Sequence, residues 1–289
     1  MKITGTGVAL VTPFKNDSSI DFDALKRLIQ HVGDGGVDFL VVLGTTGETA
    51  SLSNSEKQEV FDFVKNNNPL QLDLVAGLAS NNTHQLLCDL ESYDLSGYQA
   101  LLSASPSYNK PSQEGIYQHF KALAKKSVLP IILYNVPGRT ASNMTAKTTI
   151  RLAKDFDNIV AIKEASGDLN QLMEIVDNRP EGFNILSGED NLTLPMLSVG
   201  ADGAISVSAN AFPEQHSRMI NFALGGDFAS AHGFHYELFH ITNLLFKEGN
   251  PAGIKHVLAE KKIIDNHLRL PLTPVSSDLE REIKESLNN

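Results

Sequence analysis

The sequence predicts a (β/α)8 barrel, eight parallel strands ringed by helices, with a helical C-terminal appendage. Three observations point there. Short segments rich in Val, Ile and Leu recur eight times, each followed by a helix-like stretch, at a period of roughly 25–30 residues. Side chains able to do chemistry collect where those segments end. The first segment closes in Val11-Thr12-Pro13, not in the glycine-rich phosphate turn that an open doubly wound sheet, the main rival, usually carries there.

Residues 7–13 read as the first strand. Asp21 then caps a helix whose apolar positions Phe22, Leu25, Leu28, Ile29 and Val32 fall on one face. Residues 39–43 form the second strand and end in Gly44-Thr45-Thr46-Gly47-Glu48. Ser53 and Glu56 have capping-box spacing, and Val60, Phe61 and Val64 supply the stripe of the helix they open. The third strand is 72–77, followed by a helix over 83–92. The fourth is 99–103, ending in Ala104-Ser105-Pro106-Ser107-Tyr108-Asn109, after which Ser112 caps a helix over 113–126. Residues 130–135 are the fifth strand and 146–154 the next helix. The sixth strand starts at Ile159 and is closed by Gly167, the seventh is 183–188 and the eighth 203–207.

From Phe228 the pattern turns helical, with Leu238, Leu244, Leu245 and Phe246, then 254–264, then 279–287. Gly249-Asn250-Pro251 and Leu270-Pro271-Leu272-Thr273-Pro274 interrupt it. The expected division is a catalytic barrel over 1–225 and a helical region over 226–289 packed on it.

The sixth strand raises the question of function. Side chains alternate along a strand, so Ala161 and Lys163 share one face while Val160 and Ile162 share the other. Taking an ammonium out of water costs several kcal/mol and pulls the pKa of a buried lysine down. The neutral amine is the form that attacks a carbonyl to make a Schiff base. The plainer alternatives are a pairing of Lys163 with Glu164 or an exposed strand end.

Composition narrows the classes. With 42% hydrophobic and 20% charged residues over 289 positions, the chain suits a soluble protein with a sizeable core. A net charge of −10 and a pI near 5.3 argue against a nucleic-acid surface. No apolar run approaches the roughly 20 residues of a membrane span, and Met1 to Gly7 carry no secretory pattern. Cys88 is the only cysteine, so the expected setting is a reducing one, the cytoplasm.

In a (β/α)8 barrel, catalytic groups lie at the C-terminal ends of strands. Thr45 and Thr46 follow the second strand, Tyr108 the fourth and Gly188 the seventh; Tyr134 ends the fifth and Lys163 lies in the sixth. Two hydroxyls and adjacent backbone N–H groups in the Gly44–Glu48 loop make a cradle for a small carboxylate. The Tyr134 phenol should lie near Lys163 on the neighbouring strand. Arg139, just beyond that strand, could bind a second carboxylate bidentately.

These stretches also resemble a family. Gly44-Thr45-Thr46-Gly47-Glu48, Tyr108-Asn109-Lys110-Pro111, Tyr134-Asn135-Val136-Pro137-Gly138-Arg139-Thr140, Ile162-Lys163-Glu164-Ala165 and Leu270-Pro271-Leu272-Thr273-Pro274 are similar to signatures of the dihydrodipicolinate synthase/N-acetylneuraminate lyase superfamily, and cover almost the whole chain. Arg139 places the resemblance on the dihydrodipicolinate synthase side. The resemblance implies a lyase in which Lys163 forms an imine with pyruvate. The derived enamine attacks aspartate 4-semialdehyde, on the diaminopimelate route to lysine. It implies a proton relay of Thr45, Tyr134 and Tyr108, with Tyr108 reaching across a subunit interface. Thr46 and the Thr45 backbone would hold the pyruvate carboxylate and Arg139 that of the semialdehyde, while Gly188 and Ile205 line the pocket by their backbone. It further implies a homotetramer built from dimers and no metal or organic cofactor.

One departure bears on regulation. Lysine-inhibited members carry two histidines, a glutamate and a double tyrosine where this chain has Asn54, Lys57, Gln85 and Ser107, so feedback inhibition by lysine is expected to be weak or absent. Three other readings compete. A sibling lyase for sialic acid or a 2-keto-3-deoxy sugar acid would need hydroxyl-rich contacts in place of Arg139. A non-catalytic keto-acid-binding barrel would not need Lys163, Tyr134 and Tyr108 together. A metal-dependent aldolase would need ligands; His232, His235 and His240 cluster at helical spacing, where they and His216 read as structural.

Overall fold

The computed structural model describes residues 3–288. Eight strands pair in chain order, all parallel: β1 (Gly5–Ala9), β2 (Phe39–Val42), β3 (Asp73–Gly77), β4 (Ala100–Ala104), β5 (Ile131–Asn135), β6 (Ile159–Glu164), β7 (Asn184–Ser187) and β8 (Gly203–Ser206). β8 closes onto β1 through Gly5–Gly203 to Val8–Ser206, which makes a closed (β/α)8 barrel and excludes the open doubly wound sheet. Around it run α1 (Phe22–Asp34), α2 (Asn54–Asn66), α3 (Thr83–Ser92), α4 (Gln113–Lys126), α5 (Pro137–Thr140), α6 (Ala146–Asp155), α7 (Leu169–Asn178), α8 (Thr193–Ser198) and α9 (Pro213–Leu224). The C-terminal region adds α10 (Phe228–Phe246), α11 (Ala252–Glu260) and α12 (Ser277–Asn288). Among the described residues no helix is long and apolar enough to cross a membrane.

Helix starts follow side-chain chemistry. Asp21 accepts from the Ala24 N–H at 2.9 Å, Ser112 from Gly115 at 3.2 Å, and Ser53 and Glu56 close a reciprocal capping box. Each such cap satisfies an orphan N–H and is worth about 1 kcal/mol.

Strand alternation sorts the apolar residues into two cores. Ala9, Val41, Val75, Leu102, Ile132, Ala161, Leu186 and Ile205 fill the barrel interior. Leu40, Leu101, Leu133, Ile162 and Ile185 face outward and meet the helix stripes, among them Leu25, Leu28, Val60, Phe61, Ile116 and Phe120. Gly7 admits the Phe39 ring, since a Cβ there would lie 2.2 Å from a ring carbon.

Apart from strand ends that shift by one residue, two strand details differ from the sequence expectation. β1 stops at Ala9 because the Asn210 side chain takes over the ladder, its amide donating to the Ala9 carbonyl at 2.8 Å and its oxygen accepting from the Val11 N–H at 3.2 Å. In β6, Val160 is an extra residue: Ile131 pairs with Ile159 and Ile132 with Ala161. Val160 therefore packs against the interior cluster and does not share the outward face with Ile162. The bulge leaves Lys163 on the inner face with Ala161.

Beyond the barrel, α10 packs along α9 and α8 and is met by α11 and α12. The helix expected over 254–264 begins earlier, at Ala252, and ends at Glu260, with Lys262 in the left-handed region.

Candidate active site

A cavity of about 310 Å3 opens at the C-terminal ends of the strands, and Thr45, Thr46, Tyr134, Arg139, Lys163 and Gly188 all line it. A larger groove of about 730 Å3 lies at α1 and the end of α2, near the start of β3, and none of these groups opens into it.

Lys163 is 4% exposed and pairs in register with Tyr134 of β5, its Nζ 4.5 Å from the centre of the phenol ring. Among the described residues it makes no hydrogen bond or ion pair. Glu164 does not neutralise it, because alternation sends the two side chains to opposite faces. Outside the barrel the Glu164 carboxylate accepts from Asn135 at 3.1 Å, Gln171 at 3.0 Å and the Ser166 N–H at 2.7 Å. Burial raises its pKa above the ordinary carboxylate value although these hydrogen bonds oppose the rise. Gly188 leaves room for the lysine stem: a Cβ there would lie 2.9 Å from Lys163 Cε and 2.6 Å from Ala165 Cβ.

Thr45 to Gly47 form one 3-10 turn, with Glu48 in the left-handed region at φ 53°. The Thr46 side chain is buried and its Oγ1 accepts from Asn250 Nδ2 at 3.0 Å. The turn is held from behind by the C-terminal region. Glu48 forms a wholly buried ion pair with Lys255 of α11, and its Oε2 accepts from the Arg269 N–H at 3.1 Å. Lys255 Nζ also donates to the His267 carbonyl at 3.0 Å. Burial pushes the Lys255 pKa down to about 8, against the pull of Glu48. Arg269 donates to the Ser18 and Ser51 carbonyls and to Glu56, whose pKa it holds down at about 2.

Arg139 sits in α5 at the cavity mouth, its guanidinium 3.5 Å from the Asn250 carbonyl. Two predicted residues stand apart from the cavity lining. Ile205 is buried within the barrel interior. Tyr108 is 90% exposed, with φ 72°, on the loop after β4. Of the positions tied to regulation, Asn54 accepts from the Tyr93 hydroxyl at 3.0 Å, Gln85 donates to Asp89 at 2.7 Å and Ser107 donates to Asn81 at 2.8 Å; Lys57 lies half-buried on α2. His216 is buried and bonded to Ser208 at 2.5 Å, and His235 packs on Tyr236 and Phe239. Among the described residues no three His, Cys, Asp or Glu side chains converge as a metal site.

Sequence reasoning missed two polar groups in the cavity, Asn250 and Glu189. Asn250 lies in the Gly249-Asn250-Pro251 break, where its neighbours signal only a helix end. Glu189 directly follows Gly188, and an acid after a strand carries no signal of its own.

The model of the dihydrodipicolinate synthetase family matches residues 2–289. The chain belongs to that family. A family relative from Phocaeicola vulgatus, named 4-hydroxy-tetrahydrodipicolinate synthase, is 48% identical over 287 residues, covering 99% of this chain and 97% of the relative. Among solved structures, dihydrodipicolinate synthase from Thermotoga maritima superimposes with a TM-score of 0.97 at 34% identity, covering 100% of this chain and 98% of that one. The Aquifex aeolicus enzyme gives 0.95 at 38%, with 99% and 97% covered. The fold shared with these structures thus runs through the described residues, C-terminal helices included.

Proposed function

We propose that the chain is a Schiff-base lyase that condenses pyruvate with L-aspartate 4-semialdehyde, the 4-hydroxy-tetrahydrodipicolinate synthase reaction in the diaminopimelate route to lysine. The observation that carries the reading is a buried lysine, without an ion pair among the described residues, facing a phenol in a cavity that also holds an arginine. Lys163 attacks the pyruvate C2 carbonyl and water leaves, giving the imine. Loss of a C3 proton gives the enamine, and C3 then bonds to the aldehyde carbon. The substrate's α-amino group attacks the imine carbon and displaces Lys163, closing the ring.

Tyr134 and Thr45 supply the protons near Lys163, and Tyr108 completes the relay. Tyr108 stands outside its own chain's cavity, which supports a role in a neighbouring subunit of a tetramer built from dimers. Thr46 and the turn's N–H groups take the pyruvate carboxylate, Arg139 that of the semialdehyde, and Gly188 and Ile205 act through the backbone. The same reading includes a cytoplasmic setting and weak inhibition by L-lysine, the latter supported by the local contacts that occupy Asn54, Gln85 and Ser107.

The deciding experiment is borohydride reduction with pyruvate alone, followed by intact mass and peptide mapping. An adduct on Lys163, followed by turnover of aspartate 4-semialdehyde, is the expected outcome. Folded protein without an adduct would remove the covalent mechanism.

A further inference from the structure

The charged side chains lining the cavity are Arg139, Lys163 and Glu189, and the condensation as derived uses only the first two. The backbone of Glu189 is fixed: its N–H donates to Ser187 Oγ at 3.3 Å, and its carbonyl accepts from Ser187 Oγ at 3.0 Å and Thr193 Oγ1 at 3.1 Å. Its carboxylate makes no hydrogen bond or ion pair among the described residues. The other acids nearby are consumed by the fold. Asp190 accepts from the Val207 N–H at 3.0 Å and from the Ser208 N–H and hydroxyl at 2.8 and 2.9 Å. Glu164 is saturated on the outer face, and Glu48 is paired with Lys255.

A half-buried carboxylate without a partner is costly, and burial together with the Asp190 charge raises its pKa, while Lys163 and Arg139 pull it back. Such a group has a use where a cation visits. Of the two substrates, pyruvate brings a carboxylate; its partner brings a carboxylate, an aldehyde and an α-ammonium. The Thr46 turn and Arg139 answer the two carboxylates and Lys163 the carbonyl chemistry, which leaves the ammonium unmatched.

We propose that Glu189 receives the α-ammonium of the amino-aldehyde substrate, so that Arg139 and Glu189 together select an α-amino acid over its des-amino analogue. The inference rests on the condensation reading above. Its geometry also suits ring closure. Glu189 adjoins Gly188, whose missing Cβ makes room for Lys163 Cε, and once the bound ammonium has given a proton to the Glu189 carboxylate the freed amine can attack the imine on Lys163.

The test compares wild type with Glu189→Gln and Glu189→Asp at saturating pyruvate. Two quantities are read: the KM for L-aspartate 4-semialdehyde and the inhibition constant of succinate semialdehyde, which keeps the aldehyde and carboxylate but lacks the amine. Glu189→Gln should raise that KM by about tenfold or more and leave the succinate semialdehyde constant within about twofold, while Glu189→Asp recovers part of the loss. Equal weakening of both compounds, or of neither, would overturn the assignment. A wild-type chain that forms no pyruvate adduct would instead condemn the underlying reaction, and that is measured separately.

Discussion

Among the described residues two lysines are buried, at 4% and 0% exposure, and they face opposite fates. Lys163 in the barrel and Lys255 in α11 each lie over an aromatic ring, Tyr134 at 4.5 Å and Phe14 at 4.2 Å. Lys255 has spent its charge on Glu48 and its remaining hydrogen-bonding capacity partly on the His267 carbonyl. Among the described residues Lys163 makes no ion pair or hydrogen bond, and it opens on a cavity it shares with Glu189. Burial therefore does not distinguish a reactive lysine from a structural one; the partner does. On the proposed mechanism one lysine does chemistry, while the other fastens the turn that carries Thr45 and Thr46.

The contrast can be broken at either lysine. Lys163→Ala should lower kcat by at least ~10³-fold, because Lys163 is the only lysine among the described residues that lines the cavity, while the urea midpoint stays the same or rises as an unpaired buried amine is removed. A large loss of stability in that variant would erase the distinction. Lys255→Met should do the reverse. It leaves Glu48 buried without a counter-charge, a loss of about 3–5 kcal/mol in urea unfolding, yet the borohydride adduct should still form on Lys163 wherever the variant is folded. Adding Glu48→Gln should return much of that stability.

The smallest effect concerns the outer part of the same fastening, Arg269 on Glu56. The Glu56 carboxyl titrates at about 2 in the folded chain against 4.5 ordinarily. The folded state thus holds fewer protons between those values, so the stabilisation is whole above pH 4.5 and drains away as the pH falls toward 2. Because the pair is partly exposed, solvent screening reduces the effect to about 1 kcal/mol. Melting temperature against pH should fall less steeply below pH 4.5 in Glu56→Gln than in wild type, the difference being the contribution of this pair.

Much of this was legible in the sequence for a simple reason: the barrel is built from local patterns. Leu40-Val41-Val42 or Ile131-Ile132-Leu133 announce a strand buried on both faces, and Ser53 with Glu56 announces a helix start. Strand ends follow from strands, so Thr45, Thr46, Tyr134, Lys163 and Gly188 could be placed around one cavity before any fold was known, as could Arg139 beyond β5. Asn250 could not, because its contact with Thr46 spans more than two hundred residues and nothing in Gly249-Asn250-Pro251 records it.

The chain by itself determined the class, the order of strands and helices, and the strand-end side chains Thr45, Thr46, Tyr134, Lys163 and Gly188 at the barrel mouth, since periodicity and capping act within a few residues. Only the tertiary structure decided which charges are spent. Whether Lys255 meets Glu48, Asp190 meets Ser208 or Glu189 stays without a hydrogen bond among the described residues depends on distances between segments far apart in sequence. An ionisable group acquires its chemistry from the neighbours that replace water around it, and those neighbours exist only once the barrel has closed.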